Sequence, residues 1–302
     1  MNKEEIRKKI RGVIVPVLMP FLEDRSLDFQ TLEKFIDWLC QRKICALFPM
    51  GGSSEYQMLQ LEERKKIIEL VVEVNQNRRL FLAGTGGKSL EETIELSQYA
   101  QSKGADGIGV VVPEFIPAEQ SAIYEYYNKV DQAVSIPIMV YDPRGEGGHS
   151  VTAALMRKMV DELQNIAGIK YRTTNSEFMG KMGYKIASDI ALLSGNECTY
   201  LQDLSVGAIG CVGGGGNFYP DLMWELQENF ERNEISRARE LQFKMLEATQ
   251  VLSGVYWPLS GKIVMNELGI PFKLITRVKG DSFSEENVTA IQKYFRNLLK
   301  EE

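Results

Sequence analysis

A lysine and a tyrosine, each at the end of a short apolar run, are the residues of this sequence best suited to chemistry. Lys170 follows the run 166–169, and Tyr141 follows the run 137–140. Burying an unpaired ammonium group is costly, and the usual relief is a lowered pKa. A neutral amine can attack a carbonyl carbon and form a Schiff base, while a phenol can relay a proton. The alternative that the pattern leaves open is a Lys170 that lies beyond a strand and reaches water.

Small and hydroxyl-bearing residues follow other apolar runs of the chain. Gly52, Ser53 and Ser54 come after the run 45–48, and a run of glycines spans 213–216. Backbone N–H groups and serine hydroxyls suit a carboxylate, so these residues and the lysine predict a pocket for a small anionic carbonyl compound. Two interpretations of the glycine run stay open: a phosphate-binding turn, and close packing of backbone against a substrate.

Strand-like and helix-like segments alternate through most of the chain. Apolar runs predict eight strands, at residues 13–18, 45–48, 80–83, 106–112, 137–141, 166–171, 190–194 and 208–212. Helical periodicity predicts helices between them, at 28–42, 62–75, 89–102, 118–132, 152–163, 176–184 and 197–206. This pattern favours a (β/α)8 TIM barrel, in which the active site lies at the C-terminal ends of the strands. The residues described above all lie at such ends.

The strand pattern stops after Pro220. Amphipathic helices are predicted from there on, at 221–233, 235–252, 262–268 and 285–299, and the first of them is the eighth helix of the barrel. The sequence therefore predicts an α/β protein in two parts. Residues 1–220 form the barrel that carries the active site, and residues 221–302 form a C-terminal helical appendage.

Composition narrows the function classes. The 302 residues are 44% hydrophobic and 25% charged, as in an ordinary globular protein, and the net charge of −6 argues against a nucleic-acid partner. No apolar stretch approaches the roughly 18 residues that a membrane span needs. The charged N-terminus has no apolar segment behind it, which is unlike a signal peptide. We expect a cytoplasmic protein.

The cysteine and histidine content makes a metal site unexpected. Cys40 and Cys45 are not followed by a second pair at ligand spacing, and His149 is the single histidine. The cysteines are therefore predicted to be buried free thiols. A Ser-His-Asp nucleophile is equally unexpected, so the chemistry must rest on lysine, tyrosine, serine or carboxylate side chains.

Several of these stretches together resemble one enzyme family. Gly-Ile-Lys at 168–170 resembles the Schiff-base lysine motif of the dihydrodipicolinate synthase and N-acetylneuraminate lyase family. The fifth predicted strand, ending in Tyr141, is similar to the family's strand with its proton-shuttling tyrosine. Other similar stretches, between about residues 12 and 270, are 51–55 with Glu63-Arg64, 193–197, and 207–210 with Asn217 and Pro220.

The resemblance implies a role for each site residue. Lys170 would form the imine and Tyr141 would shuttle the proton. Gly52, Ser53 and Ser54 would hold the carboxylate, and the Val212 carbonyl would lie near the imine. No metal, nucleotide or flavin is implied, because the lysine itself supplies the electrophile. The resemblance also implies a homo-oligomer, a dimer or a tetramer.

The departures from the family pattern matter as much. Gly52 replaces the first hydroxyl residue of the carboxylate loop. Phe115 stands where the family often has a tyrosine that reaches a neighbouring subunit's site. Glu146 stands where the synthases have an arginine for the second substrate's carboxylate, and the nearby arginine is Arg144. These changes count against dihydrodipicolinate synthase itself.

The sequence thus predicts a class I aldolase or lyase that acts on a 2-oxo acid, with pyruvate and an aldehyde as its small-molecule partners. One alternative is dihydrodipicolinate synthase, and another is a 2-oxo-3-deoxy sugar acid dehydratase. A non-catalytic ligand-binding barrel is the alternative from a different class, for which Gly52 and Phe115 are the relevant hints.

Overall fold

The computed structural model describes residues 1–145, 149–278 and 283–298 of the chain. Its centre is a closed barrel of eight parallel strands in sequence order, with β1 paired to β8. The strands are β1 Gly12–Val15, β2 Ala46–Leu47, β3 Leu80–Gly84, β4 Gly107–Val111, β5 Ile138–Asp142, β6 Ile166–Tyr171, β7 Ala191–Ser194 and β8 Gly210–Cys211. The predicted TIM barrel is confirmed.

The strands are apolar along their length because both of their faces are covered. In β4, β5 and β6 every residue is buried. One set of side chains fills the barrel, among them Phe48, Leu82 and Met139. The alternate set packs outward against the helices, as Ile108, Val140 and Ile169 do. This alternation directs residues two apart to the same side of the barrel wall.

Helices cover the barrel on the outside and at its ends. They are α1 Lys3–Lys9, α2 Phe29–Cys40, α3 Leu61–Asn75, α4 Leu90–Ser102, α5 Gln120–Ala133, α6 Ala153–Glu162, α7 Ser176–Ile186, α8 Tyr200–Ser205, α9 Pro220–Glu231, α10 Ile235–Leu252, α11 Leu259–Glu267 and α12 Glu285–Leu298.

Most predicted element bounds agree with the structure to within a few residues. The strand predicted at 13–18 ends at Val15. Beyond it, the Val17 N–H still donates to the Phe48 carbonyl at 3.2 Å, but the Leu18 N–H donates to the Asn217 side chain, 2.9 Å away. The helix predicted at 197–206 is a short 3-10 turn, Glu197–Thr199, followed by α8. The helix predicted at 262–268 begins earlier, at Leu259.

Helix α1 was not predicted from the sequence. Asn2 and Glu5 form a reciprocal capping box at its start, which satisfies backbone donors that would otherwise lack partners. Ile6 and Ile10 bury their side chains among those that fill the barrel interior. The helix therefore closes the N-terminal mouth of the barrel, and the opposite mouth remains for the site.

The C-terminal helices pack onto the barrel and onto each other. Helix α9 lies against β1, α10 packs on α9, and α12 packs on α10 and α11. A buried ion pair, Glu55 with Lys262 at 3.3 Å, joins the loop after β2 to α11. The division of the chain at residue 220 stays a prediction.

Two further observations concern the cysteines and the helix lengths. Cys40, Cys45, Cys198 and Cys211 are free thiols, as predicted; Cys40 and Cys211 are also buried, whereas Cys45 and Cys198 are partly exposed, against the prediction. In the described part of the chain, no helix combines the length and the apolar character that crossing a membrane requires.

Candidate active site

Lys170 and Tyr141 are cross-strand neighbours at the C-terminal ends of β6 and β5. The Lys170 Nζ atom lies 4.2 Å from the centroid of the Tyr141 ring and 5.9 Å from that of Phe48. The two rings contact each other edge to face. Because an aromatic face attracts a cation, these rings hold the lysine in place without a carboxylate. The structure thus brings together the two residues predicted to be catalytic.

The surroundings of Lys170 favour a neutral amine. Its side chain is 7% exposed. The pKa of Lys170 is lowered from 10.5 to about 8, chiefly by burial; Cys211 and Glu197 oppose the shift, and the charge of Arg172 contributes to it. With a pKa of about 8, roughly a tenth of the molecules carry a neutral amine at pH 7, far more than for an ordinary lysine. Burial therefore supplies the nucleophile.

The Tyr141 hydroxyl faces the loop after β2. A Cβ atom added at Gly52 would lie 3.5 Å from the Tyr141 hydroxyl oxygen. No group of the described residues hydrogen-bonds to that hydroxyl. Burial raises the pKa of Tyr141, the charge of Arg172 opposes this, and Asp142 adds to it. The phenol therefore stays protonated at neutral pH and can give or relay a proton.

The loop after β2 offers donors for a carboxylate. Gly52–Ser54 form a 3-10 turn whose start lies at the barrel mouth. The N–H groups of Gly52 and Ser53 have no hydrogen-bond partner within the part of the chain that the structure describes. The Ser53 Oγ atom accepts a hydrogen bond from Trp257 Nε1 at 3.2 Å, which leaves its own proton available. These groups form a small anion-binding corner.

Ser54 differs from Gly52 and Ser53 because its hydroxyl and its N–H group form hydrogen bonds within the protein. Its hydroxyl donates to the Val17 carbonyl at 2.5 Å and accepts from the Met50 N–H at 2.8 Å. Its backbone N–H donates to the Gly51 carbonyl at 3.0 Å. The Ser54 side chain is fully buried, so its groups support the turn and none is left for a ligand.

A cavity of about 660 Å³ lies over Lys170. This volume is ample for a 2-oxo acid joined to a second small molecule. Val212, predicted to lie near the imine, is on its wall. The remaining lining residues come from strand ends and from the chain between α10 and α11: Pro16, Gly52, Ser53, Tyr141, Lys170, Arg172, Gly195, Asn196, Glu197, Cys198, Gly214, Thr249, Leu252, Ser253, Gly254, Val255, Tyr256, Trp257 and Ser260.

The loop after β7 is held from below by a buried carboxylate. Asp203 accepts hydrogen bonds from the hydroxyls of Ser194, at 2.5 Å, and Thr199, at 2.9 Å. Burial raises the pKa of Asp203 to about 6, against the effect of these two donors. The loop presents Glu197, whose Oε1 accepts from the Gly215 N–H at 3.0 Å. This contact fixes a carboxylate on the cavity wall.

The glycine run at 213–216 is close-packed. A Cβ atom at Gly213 would lie 2.8 Å from Glu197 Oε2, and one at Gly214 would lie 2.8 Å from the Trp257 ring. The Gly215 N–H already binds Glu197. The contacts therefore favour close packing over a phosphate-binding turn, although the packing is against side chains of the protein.

Three residues on the cavity wall were not predicted as site residues. Arg172 lies two positions after the lysine, Glu197 belongs to the 193–197 stretch, and Trp257 holds Ser53. Strand alternation was a usable signal for Arg172, since it shares a strand face with Lys170. The sequence carried no such signal for Trp257, which is 204 positions from Ser53.

A second cavity, of about 560 Å³, meets the first at Gly52 and Tyr141. Phe115 and Arg144 lie on its wall. Phe115 is 45% exposed and packs edge to face on Tyr126, so the residue that replaces the family tyrosine carries no hydroxyl to the site. A proton leaving Tyr141 must take another route.

The other departures can be located in part. Arg144 forms an ion pair with Glu114 and does not line the cavity over Lys170. The His149 Nε2 atom contacts the Ile116 carbonyl at 2.5 Å, as a loop histidine would, and it is not on that cavity's wall either. Glu146 lies outside the described residues.

Comparison with known proteins agrees with the geometry. The model of the dihydrodipicolinate synthetase family matches residues 9–297. A 4-hydroxy-tetrahydrodipicolinate synthase of Bartonella tribocorum is 32% identical over 261 residues, which cover 86% of this chain and 89% of the relative.

Solved structures are similar over nearly the full length. Dihydrodipicolinate synthase from Aquifex aeolicus superposes with a TM-score of 0.86 at 27% identity, covering 97% of this chain and 98% of that one. YagE, a prophage protein of E. coli K12 in the same family that was solved with pyruvate, has a TM-score of 0.85 at 26% identity, with coverage of 97% and 98%.

Proposed function

Because this chain belongs to the dihydrodipicolinate synthetase family and is a Schiff-base lyase of the aldolase type, we propose that it breaks or forms a carbon–carbon bond of a 2-oxo acid, with pyruvate as the donor half. The observation that carries this proposal is a buried Lys170 whose pKa is about 8, in van der Waals reach of Tyr141 in a cavity of about 660 Å³. The pyruvate bound to a family member of similar structure supports the choice of donor.

In the cleavage direction, the neutral Lys170 amine attacks the keto carbon, and loss of water leaves an iminium. As the carbon–carbon bond breaks, the substrate hydroxyl gives its proton to the Tyr141 oxygen while Tyr141 passes its own proton to solvent water, and the bonding pair moves into the iminium to give an enamine. Protonation of the enamine and addition of water then release pyruvate and restore the amine. The Gly52–Ser53 corner holds the carboxylate of the oxo acid throughout.

The relatives' own reaction is the second candidate. Relatives about 30% identical are named 4-hydroxy-tetrahydrodipicolinate synthase, which favours it. Against it stand Phe115, whose ring has no hydroxyl, and Arg144, which is paired with Glu114 away from the main cavity. We therefore expect poor condensation of pyruvate with aspartate semialdehyde. A kcat/KM on the order of 10⁴ M⁻¹s⁻¹ or above would make the synthase the better assignment.

Covalent trapping tests the proposal directly. Borohydride added with pyruvate reduces an imine to a stable amine, so the mass of the protein should rise by one reduced pyruvyl group on Lys170. Lys170→Ala should abolish the adduct. Lys181→Ala is the control, because Lys181 is an exposed lysine paired with Glu177 and its loss should leave the adduct unchanged. Unmodified wild-type protein, or an adduct on another lysine, would contradict the proposal.

A further inference from the structure

Arg172 is a charged residue beside the reactive lysine for which the mechanism above has no use. It follows directly on β6, two positions after Lys170. Side chains two apart share a strand face and are separated by about 6.6 Å along the strand. Lys170 faces the barrel interior, so Arg172 stands above it on the same side, and it lines the cavity over Lys170. A substrate attached to the lysine would extend past Arg172 toward solvent.

The backbone at Arg172 is held on both sides. Its N–H donates to the Asp142 carbonyl at 3.1 Å. A Cβ atom at Gly195 would lie 2.8 Å from the Arg172 Cβ, so the glycine lets the loop after β7 press against it. On the other side, Gly145 packs equally closely against the Arg172 carbonyl. The base of the side chain is therefore fixed, and the charge of the side chain acts on Lys170, Tyr141 and Cys198, which line the same cavity.

The guanidinium of Arg172 has no hydrogen-bond or ion-pair partner among the residues that the structure describes. Other arginines of the chain do have carboxylate partners, such as Arg157 with Asp161 and Arg277 with Glu63. The carboxylate that shares the cavity wall, Glu197, is engaged by the Gly215 N–H. The exposed guanidinium on the cavity wall thus has five donors in a planar fork that no described residue engages, a geometry that matches a carboxylate or a phosphate.

The carboxylate of the 2-oxo acid, which would otherwise compete for the Arg172 charge, has its own binding corner elsewhere. In the closed barrel β2 and β6 lie on opposite sides, four strands apart. The Gly52–Ser53 corner follows β2, whereas Arg172 follows β6. A 2-oxo acid bound to Lys170 with its carboxylate at Gly52–Ser53 directs the rest of its chain away from that corner. The far end of the molecule then reaches Arg172.

We propose that Arg172 binds an anionic group, a carboxylate or a phosphate, at the far end of the substrate, so that the aldehyde partner of this enzyme is itself an acid. The inference rests on the proposed function and narrows its substrate class. The arginine that the synthases use for this purpose has no counterpart in the described part of the cavity, and Arg172 supplies the charge from a different strand. Leu252, Val255 and Trp257 cover the path between with apolar surface, which strengthens a charge–charge contact.

The first test compares aldehydes that differ in charge and little else. Condensation with pyruvate is measured as kcat/KM for 4-oxobutanoate against its methyl ester, and for glyceraldehyde 3-phosphate against glyceraldehyde. Wild-type enzyme should prefer the charged member of at least one pair by about 10- to 100-fold, the usual worth of a charge-assisted contact. The pair with the larger preference tells carboxylate from phosphate.

Arg172→Gln should remove this preference by raising KM for the charged aldehyde. The KM for the uncharged aldehyde should change by less than about threefold. Arg172→Lys should recover part of it, because it keeps the charge and loses the fork. Arg144→Gln is the matched control and should leave the preference unchanged. No preference in the wild type, or an equal loss on both aldehydes in Arg172→Gln, would overturn the inference; the latter would mean that Arg172 acts only on the lysine.

A binding measurement separates this inference from the proposed function. Calorimetry of 2-oxoheptanedioate and 2-oxoheptanoate, which differ in one terminal carboxylate, needs no turnover. The wild type should bind the diacid at least about tenfold more tightly, and Arg172→Gln should bind both equally. Equal binding by the wild type would overturn the inference even if pyruvate is trapped on Lys170. Failed trapping with a preserved diacid preference would instead overturn the proposed function alone.

Discussion

At the scale of single residues, the site depends on the electrostatic balance around one amine. Lys170 touches aromatic rings and no carboxylate, and Arg172 adds a like charge nearby. Desolvation and like charge both disfavour the ammonium form, so they lower the pKa in the same direction. Tyr141, under the same burial, holds its proton more tightly. One environment therefore yields a nucleophile and a proton donor side by side.

The pH dependence of imine formation should report this balance. The attacking form is the neutral amine, which increases as pH rises through the Lys170 pKa of about 8. The initial rate of pyruvate trapping should therefore rise about tenfold per pH unit below 8 and level off above it. The measurement is borohydride quenching at short times between pH 6 and 10. A midpoint near 10.5, the ordinary value, would show that burial does not activate the lysine.

Replacing Tyr141 by phenylalanine should separate binding of the substrate from turnover. The imine should still form, since Lys170 and the Gly52–Ser53 corner are intact. Pyruvate release should fall by roughly 10²- to 10⁴-fold, because a positioned acid–base group is lost and Phe115 cannot replace it. Tyr124→Phe, which removes a surface hydroxyl bonded to Glu162, is the control.

Equal release rates in wild type and Tyr141→Phe would exclude Tyr141 as the shuttle. Absence of release from the wild type across a panel of 2-oxo acids, with trapping intact, would favour the non-catalytic ligand-binding barrel. The two assays together therefore distinguish enzyme from binding protein.

At the scale of elements, the loop after β7 depends on Asp203 beneath it. Its side chain joins the end of β7, through Ser194, to the 3-10 turn that begins at Glu197. Asp203 is 5% exposed, so its charged form is poorly solvated. The loop that carries Glu197 is therefore held by a carboxyl group that titrates near pH 6.

The stability of an Asp203→Asn variant relative to wild type should depend on pH. The folded wild type keeps the Asp203 proton up to about pH 6, whereas the unfolded chain loses it near pH 4. The native state therefore binds more protons in this window, and its free energy of unfolding falls as pH rises from about 4 to 6. Asparagine does not titrate. The free energy of unfolding of the variant, relative to that of the wild type, should therefore rise by roughly 2–3 kcal/mol between pH 4 and pH 6.

The measurement is urea unfolding at several pH values between 4 and 7. Asp189→Asn is a useful contrast, because Arg157 lowers the pKa of Asp189; this carboxyl titrates at or below about pH 4 in both states, so the difference between this variant and the wild type should stay nearly constant from pH 5 to 7. A flat difference for Asp203→Asn would mean that its carboxyl is ionised throughout this range.

At the scale of the whole molecule, the barrel mouth and the C-terminal helices are tied by a buried carboxylate. Glu55, in the loop after β2, pairs with Lys262 of α11 at 3.3 Å and accepts from the N–H groups of Arg277, at 2.6 Å, and Val278, at 3.1 Å. Arg277 in turn forms two contacts of 2.6 Å with Glu63 on α3. The carboxylate corner at Gly52–Ser53 is therefore braced by residues more than two hundred positions away.

Lys262→Met should be strongly destabilising. Removing the ammonium leaves the Glu55 charge buried with backbone donors alone, and breaking such a pair typically costs about 3–5 kcal/mol. Unfolding in denaturant, followed by circular dichroism, measures the loss. Lys181→Met, which removes an exposed partner of Glu177, should cost less than about 1 kcal/mol. A loss at Lys262 no larger than this control would show that the pair does not brace the fold.

Much of the barrel and of its catalytic pair was determined by the sequence itself. Eight apolar runs with helices between them define the barrel, and a strand that must be buried on both faces leaves a continuous apolar run that local inspection detects. Lys170 and Tyr141 could be identified from the sequence because each lies at the end of such a run. Helix α1 was missed because Ile6 is the one buried residue among its seven, which is too few to produce a helical apolar pattern.

The surroundings of that pair were decided by the tertiary structure. Loops from distant parts of the chain decide three features: the turn of the Ser54 hydroxyl toward Val17, the contact of Trp257 with Ser53, and an Arg172 guanidinium without a partner among the described residues. Periodicity places a residue on a strand face, but it carries no information on which loops meet above that face. Those contacts, and the pKa values that follow from them, arise only when barrel closure brings the strand ends together.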